Sequence, residues 1–182
     1  YEISACLVGS EMCIRDSIMT ELSLVRIDFR LMHGQVITGC LKQVSADTIL
    51  IVDDQLAADK FMAQVFLAAK PAGIKVGIRS IEKAVDALKN NRFKSNKMLV
   101  LFKSVANVKK AFDMGFPLEK LQVGGLGNAT NKVMISKELA LSKEEADILE
   151  EMQQKGVEVT LQMTPKDSRI PLDDALKMVR AK

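Results

Sequence analysis

The sequence is poor in the residues on which several kinds of protein depend. Its 182 residues include no Trp, one Tyr, one His, three Cys and four Pro. So few aromatic residues provide no evident stacking platform for single-stranded nucleic acid, and we expect no nucleic-acid partner. The cysteines, Cys6, Cys13 and Cys40, do not have the spacing of a zinc or redox motif, so a disulfide framework is not expected.

Long apolar runs are also missing. No stretch approaches the roughly 18 consecutive apolar residues that a membrane-spanning helix requires. The N-terminus has no basic segment followed by an apolar run, which a signal peptide would show. These absences favour a protein of the cytoplasm.

The length suits one domain with one substantial core. Residues 1–18 show neither helical nor strand periodicity, and a candidate start, Met19, follows them. We interpret residues 1–18 as a non-native or adapter-derived extension, the alternative being a genuine extra strand or arm. The domain itself is then expected to span residues 19–182.

The rest of the chain alternates between short apolar runs and amphipathic stretches, which is typical of βα units around a parallel sheet. Six runs are predicted strands: 22–27, 48–52, 74–78, 98–102, 121–123 and 157–161. The sequence therefore predicts an α/β fold, an open, mostly parallel sheet of about six to seven strands with helices on both faces. In such a sheet, ligands bind at the carboxyl ends of the strands.

Residues that begin helices agree with this alternation. Ser80 and Ser104 are predicted N-caps, and Ser142 with Glu145 forms a capping-box pattern. Pro171 is predicted to lie in the first turn of a final helix.

The single histidine follows the first predicted strand. His33 lies in the loop before the first helix, beside the backbone N–H groups of Gly34, Gln35 and Val36. These groups form the positive end of the helix dipole, which attracts phosphate. The position therefore indicates a histidine that works on a phosphate group.

Three charged residues precede this histidine in the same segment. Arg26 and Arg30 are able to bind phosphate oxygens in bidentate fashion, and Asp28 is able to hold the imidazole in one tautomer. A second interpretation gives these residues no catalytic role. A lone histidine is often a capping or surface residue, and Arg–Asp pairs near strand ends are often solvated ion pairs.

Two other polar turns follow predicted strands. Gly124 and Gly125 lack the lysine and spacing of a nucleotide-binding loop, and we interpret them as a wall of the His33 site. Asp53 and Asp54 end the second strand, where a dinucleotide enzyme has a ribose-binding acid. The first turn has no Gly-x-Gly-x-x-Gly, however, so these aspartates are predicted to cap the next helix.

The segment Val25–Val36, VRIDFRLMHGQV, closely resembles the signature of the enzyme IIB proteins in the mannose, fructose and sorbose family of bacterial phosphotransferase systems. The resemblance continues through IVDD at 51–54, PAG at 71–73 and VGG at 123–125. It extends from residue 22 to about residue 180.

In that family the matching histidine takes a phosphoryl group from the phosphohistidine of enzyme IIA. It then delivers the group to a sugar carried by the membrane components IIC and IID. The resemblance implies that His33 is the catalytic nucleophile, forming a covalent phosphohistidine with no metal or other cofactor. Arg26, Arg30 and the N–H groups after His33 would stabilise the transferring group. It also implies a cytoplasmic protein-phosphohistidine–sugar phosphotransferase that associates peripherally with the membrane permease.

Two positions depart from the family pattern. Phe29 stands where the family usually has a second aspartate, and Cys40 stands where it usually has tryptophan. Phe29 lowers the negative charge beside the site, whereas Cys40 is predicted to be a packing residue of the first helix. From another class of function, a non-catalytic regulatory module that binds a sugar phosphate or a nucleotide stays open as the alternative.

Overall fold

The computed structural model describes residues 20–93, 97–127, 129–136 and 139–181. The predicted extension at 1–18 lies outside them. The strands are β1 (Glu21–Ile27), β2 (Thr48–Val52), β3 (Lys75–Arg79), β4 (Lys97–Phe102), β5 (Lys120–Val123), β6 (Val133–Ser136), β7 (Leu139–Leu141), β8 (Glu158–Leu161) and β9 (Ile170–Pro171). The helices are α1 (Leu41–Val44), which continues a π-helical segment at Val36–Cys40, α2 (Asp54–Ala58), α3 (Lys60–Ala68), α4 (Ile81–Lys89), α5 (Val105–Asp113), α6 (Lys143–Gln154) and α7 (Leu172–Arg180).

Seven of these strands form one sheet in the order β3-β2-β4-β1-β5-β8-β9. All neighbours pair in parallel except β9, which is antiparallel to β8. The six predicted strands are all present, and the predicted α/β class is confirmed. The sequence missed the short strand β9 and the antiparallel pair β6–β7, which forms a separate small sheet.

Both faces of the sheet are covered, which explains why all five residues of β2 are buried. Ile49 and Ile51 face a core cluster that includes the first helix, while Leu50 and Val52 face a cluster that includes α4 to α7. Such alternation follows from the two-residue repeat of a strand. None of the helices in the described residues is long and apolar enough to cross a membrane.

The predicted helix starts are confirmed at three places. Ser80 and Ser104 accept hydrogen bonds from backbone N–H groups in the first turns of α4 and α5. Ser142 and Glu145 form a reciprocal capping box at α6. Pro171 ends β9 and is the N-cap of α7, so it precedes the first turn in which the sequence put it.

Backbone hydrogen bonds continue past the strand ends and bring three loops together. The N–H of Asp28 donates to the carbonyl of Phe102 over 2.9 Å, and that of Gly124 donates to the carbonyl of Ile27 over 2.9 Å. The N–H of Gln162 donates to the carbonyl of Val123 over 2.8 Å. The segments that follow β1, β5 and β8 therefore meet at one edge of the sheet.

Candidate active site

The loop after β1 is short and anchored in the core. Leu31 and Met32 are both buried, and the N–H of Leu31 donates to the carbonyl of Asp28 over 2.9 Å. Leu31 has a φ of 55°, a left-handed conformation that is uncommon for a side chain of this size. Burial and the tight turn together fix the backbone immediately before His33.

Asp28 organises this turn from a fully buried position. Its Oδ1 accepts a hydrogen bond from the backbone N–H of Arg30 at 3.2 Å. Its Oδ2 lies 3.1 Å from His33 Nε2. One carboxylate therefore contacts both the backbone of the loop and the imidazole, and the orienting role of Asp28 stays a prediction.

His33 lies directly before the first helical residue. The side chain is 18% exposed, and its carbonyl accepts the N–H of Ile37 at 3.0 Å. Gly34 and Gln35 are exposed, whereas Val36 is completely buried. The N–H groups of these three residues belong to the first turn, where a helix offers its own N–H groups no acceptor. The structure brings the histidine and the predicted anion-binding turn together.

Arg30 lies on the open side of the loop. Its side chain is 34% exposed, with Nε 3.7 Å from Asp28 Oδ1. Its Nη2 donates to Gln35 Oε1 over 3.3 Å, and its Cζ lies 5.5 Å from the ring centroid of Phe29. This arginine is therefore near the histidine and accessible to a ligand from solvent.

Arg26 has a different environment, because it is only 1% exposed. Its Nη1 donates to Gln122 Oε1 at 2.6 Å and to the carbonyl of Gln162 at 2.8 Å. Its Nη2 donates to Asp28 Oδ2 at 3.1 Å and to the carbonyl of Met163 at 2.6 Å. All four Nη protons thus have protein acceptors, and direct phosphate binding by Arg26 stays a prediction.

Gly124 and Gly125 lie against the charged residues of the site. A Cβ atom on Gly124 would be 2.1 Å from Arg26 Cζ, and one on Gly125 would be 2.9 Å from Asp28 Oδ1. Both positions therefore need glycine for Arg26 and Asp28 to have their present places. The carbonyl of Gly125 also accepts the N–H of Phe29 at 2.9 Å.

Sequence reasoning missed two buried glutamines of this site. Gln122 and Gln162 are 7% and 5% exposed, and Gln122 Nε2 donates to Gln162 Oε1 over 2.8 Å. The available signal was a polar residue within or just after a short strand, since Gln122 lies in β5 (KLQV) and Gln162 follows β8 (EVTL). Buried amides need partners, so such positions indicate a polar network.

A recess of about 370 Å³ opens beside the first helix. Gln35 lines one side of it, and the segment after β8 lines another. Among the residues that the structure describes, its one charged lining residue is Asp167, whose Oδ2 accepts the N–H and hydroxyl of Thr164. Across the part of the chain described, no group of three or more His, Cys, Asp and Glu residues could hold a metal ion.

The two departures from the family pattern have different surroundings. Phe29 is 45% exposed beside Arg30, so it presents an apolar ring at the edge of the site. Cys40 is buried in the first helix, and burial raises the pKa of its thiol. The predicted packing role of Cys40 is confirmed, because a buried thiol with a raised pKa is a poor nucleophile.

Fold and site together define a class: α/β proteins that present one histidine, backed by a buried aspartate, at the carboxyl edge of a parallel sheet. The family described as "PTS system sorbose subfamily IIB component" matches residues 22–182. The sorbose-specific EIIB component of Lacticaseibacillus casei is 33% identical over 158 residues, which are 87% of this chain and 94% of that protein. The fructose-specific EIIB component of Bacillus subtilis is 27% identical over 150 residues, or 82% and 92%.

The crystal structure of manxB from Thermoanaerobacter tengcongensis is similar, with a TM-score of 0.81 and 34% sequence identity. The alignment covers 87% of this chain and 96% of that one. This chain therefore belongs to the sorbose subfamily of phosphotransferase-system IIB components, and the resemblance noted in its sequence is confirmed. Proteins of this family transfer phosphoryl groups during sugar uptake.

Proposed function

We propose that this chain is a phosphoryl carrier that accepts a phosphoryl group from the phosphohistidine of enzyme IIA on His33. It then passes the group to a sugar presented by the membrane components IIC and IID. One observation carries the proposal: a partly exposed imidazole whose Nε2 lies 3.1 Å from a fully buried carboxylate, Asp28. Membership in the IIB family supports the class of reaction.

The same contact selects the ring nitrogen that reacts. In a neutral imidazole one nitrogen carries the proton and the other has a free lone pair. Asp28 accepts only from a protonated Nε2, so the lone pair is on Nδ1 of His33. Nδ1 attacks phosphorus, and the bond between phosphorus and the IIA histidine breaks. The pair of electrons from that bond returns to the IIA imidazole.

Groups on the solvent-facing side of the loop stabilise the negative charge that develops on the phosphoryl oxygens. Arg30 is 34% exposed, and its Nε lies 3.7 Å from the carboxylate of Asp28, which also contacts His33. The N–H groups of Gly34, Gln35 and Val36 belong to the first turn of the helix, where backbone N–H groups have no acceptor within the helix. Phosphoryl transfer depends mainly on positioning and electrostatic stabilisation, which these residues supply without a resident cofactor.

The second transfer moves the phosphoryl group from His33 to the sugar at the same site. A sugar hydroxyl attacks the phosphorus on His33, the bond from phosphorus to Nδ1 breaks, and the hydroxyl proton passes to solvent or a base. The protein then acts as a protein-phosphohistidine–sugar phosphotransferase that meets the permease at the membrane surface. Exposed Phe29, beside Arg30, gives the docked partner an apolar contact next to the reacting group.

The test is phosphorylation of the whole chain by phosphoenolpyruvate, the general phosphotransferase proteins and a cognate IIA, followed by intact mass. The parent should gain one phosphoryl group, and His33→Ala should gain none. The label should be lost in acid and persist in base, as expected of a phosphorus–nitrogen bond. Nitrogen-resolved NMR of the labelled ring should show phosphorus on Nδ1.

Three outcomes would contradict the proposal. Equal labelling of His33→Ala would remove the histidine from the reaction, and an acid-stable label would point to a hydroxyl group. Binding of a sugar phosphate or nucleotide without any labelling would favour the regulatory module instead. Asn107→Leu serves as a control for general damage, because Asn107 binds Asp53 and not the His33 loop.

A further inference from the structure

The buried side of the site contains a hydrogen-bonded network to which the proposed mechanism gives no role. It joins Asp28 to the ends of β5 and β8 through Arg26, Gln122 and Gln162. These four side chains are each less than a tenth exposed. Both Nη atoms of Arg26 have their acceptors within this network, whereas its buried Nε has no hydrogen-bond partner. A buried cation that loses a partner is costly, so the Nη contacts determine where the guanidinium lies.

Gln122 fixes one side of the Arg26 guanidinium. Its Oε1 accepts from Arg26 Nη1 over 2.6 Å, which is a short, charge-assisted hydrogen bond. Its Nε2 donates to Gln162 Oε1 over 2.8 Å, and Gln162 Nε2 donates to the carbonyl of Asp167 over 2.8 Å. Each amide therefore has one orientation, and the oxygen of Gln122 has to face Arg26.

The other faces of the guanidinium are also confined. Arg26 and Gln122 are partners in the β1–β5 register, so both side chains lie on the same face of the sheet. The backbone of Gly124 lies so close to Arg26 that a Cβ there would be 2.1 Å from Nη2. The carbonyls of Gln162 and Met163 accept the remaining Nη protons. The arginine has little freedom to move.

The network ends on the oxygen that orients the histidine. Asp28 Oδ2 lies 3.1 Å from Arg26 Nη2 and also 3.1 Å from His33 Nε2. A displacement of the guanidinium would therefore move the acceptor to which the imidazole is bound. Arg26 contacts the reacting ring only through Asp28.

We propose that Gln122 is a positioning residue for phosphoryl transfer, which acts on His33 through Arg26 and Asp28. This inference rests on the proposed function of His33. It assigns Arg26 to the support of Asp28, whereas Arg30 is the arginine that meets the phosphoryl group. Gln162 holds Gln122 in the orientation that this task requires.

The first readout is the tautomer of His33 in the unphosphorylated protein, measured by 15N NMR of the ring nitrogens. The parent should show mainly the Nε2–H form. Gln122→Leu removes the side-chain acceptor from Arg26, and we expect a clear rise in the Nδ1–H form. Asn107→Leu is the matched control, because it removes a hydrogen bond of 2.9 Å to another buried carboxylate, Asp53, and should leave the tautomer unchanged.

The second readout is the rate of transfer from phosphorylated IIA by rapid quench. Gln122→Leu should lower the maximal rate about 10-fold, the size of effect seen when a group that orients a reactive ligand is removed. The concentration of IIA at half-maximal rate should change less than about twofold, because Gln122 is only 7% exposed. Gln122→Glu keeps an acceptor for Arg26 and should recover most of the rate.

A parental tautomer and a parental rate in folded Gln122→Leu would overturn the inference. Equal rate losses in Gln122→Leu and Asn107→Leu would also overturn it, since they would reflect lost stability alone. If Gln122→Leu does not fold, Gln162→Leu replaces it, because the carbonyl of residue 162 still accepts from Arg26. That variant should shift the tautomer in the same direction, and an unchanged tautomer would refute the proposal.

Failure of the proposed function has a different signature. In that case the parent itself would carry no phosphoryl group on His33, whatever the tautomer in the variants. A parent that is labelled on His33, together with an unaffected Gln122→Leu, would leave the proposed function intact and remove only the positioning role.

Discussion

Two strands of the sheet, β1 and β2, which lie on either side of β4, are each followed by a buried aspartate, and the two aspartates have different partners. Asp28 follows β1 and is fully buried; its side chain contacts Arg26, Arg30 and His33. Asp53 follows β2 and is 3% exposed. The side chain of Asp53 accepts from the N–H of Leu56 at 2.7 Å and from Asn107 Nδ2 at 2.9 Å.

The difference lies in what each carboxylate stabilises. Asp53 accepts from an N–H group at the start of α2, which is an ordinary capping role, and from the side-chain amide of Asn107. Asp28 instead contacts the imidazole of His33, and it does so beside the partly exposed Arg30. The same position at the edge of a sheet can therefore serve stability or chemistry, and the neighbouring side chains determine which.

The sharpest test of this comparison is the same substitution at both aspartates. Asp28→Asn should reduce the rate of phosphoryl acceptance by at least about 100-fold, as expected when a buried carboxylate no longer holds a catalytic histidine in its reactive tautomer. The new amide is able to donate to Nε2, which would put the imidazole proton on Nδ1. Rapid-quench transfer from phosphorylated IIA measures the loss.

Asp53→Asn is the matched control for that experiment. Asparagine is a good N-cap, so the variant should fold and keep a rate within about twofold of the parent. Thermal unfolding, followed by far-ultraviolet circular dichroism, gives the folded fraction of both variants. A comparable rate loss in Asp53→Asn would mean that Asp28 and Asp53 do not have the different roles proposed for them.

The second prediction concerns Arg30, which lies beside Asp28 on the solvent-facing side of the loop after β1. Arg30→Ala removes a charge placed to offset the negative charge of the transferring group. The rate should fall about 100-fold, or about 3 kcal/mol of barrier, with folding retained. Arg30→Lys should recover only part of the rate, because an ammonium group lacks the planar two-point geometry of guanidinium.

Arg92→Ala is a suitable control for Arg30. Arg92 forms a surface ion pair with Asp86 at 2.9 Å and is 65% exposed. Such pairs contribute little, so this variant should transfer at the parental rate. Near-parental rates for Arg30→Ala as well would make the Arg30–Asp28 contact another solvated ion pair and remove Arg30 from the mechanism.

Local sequence rules predicted the parts of the molecule that depend on near neighbours. The N-caps at Ser80 and Ser104, and the capping role of Asp53, each involve residues within three positions along the chain. The place of His33 at the end of β1 was equally local, since a strand pattern ended just before it. The contact of Asp28 with His33 also spans only five residues.

The parts that sequence reasoning missed depend on strand order. Arg26 meets Gln122 and the carbonyl of Gln162 because β1 lies beside β5 and β5 lies beside β8. These contacts span 96 and 136 residues, and the register that creates them is not visible in any short segment. The sequence predicted Arg26 as a phosphate ligand without showing that its Nη protons have acceptors on the protein, and direct phosphate binding by Arg26 stays a prediction. The antiparallel strands at 133–136 and 139–141 were too short to have a clear pattern.

The smallest expected effect belongs to Asp54, the residue next to Asp53. A hydrogen bond from Lys110 Nζ, and then one from the N–H of Ile81, hold the pKa of the Asp54 carboxyl below its usual range. Both bonds are 2.8 Å long, and the side chain is 44% exposed. Because the folded-state pKa is lowered, the stability that this carboxylate contributes is fully present above the unfolded pKa of about 3.9. It is lost as the pH falls through the lower folded-state value.

Asp54→Asn should therefore be slightly less stable than the parent at pH 7, and the gap should close on acidification below about pH 4. Urea unfolding of both proteins over a pH series measures this gap. The loss at pH 7 should be small, since solvent screens an exposed pair, and phosphoryl acceptance should not change. Lys110→Met removes the same partner from the other side and should give the same trend. A stability difference that stays constant into strong acid would show that the Asp54 charge does not stabilise the fold. A loss of phosphoryl acceptance would show that Asp54 affects the reaction at His33.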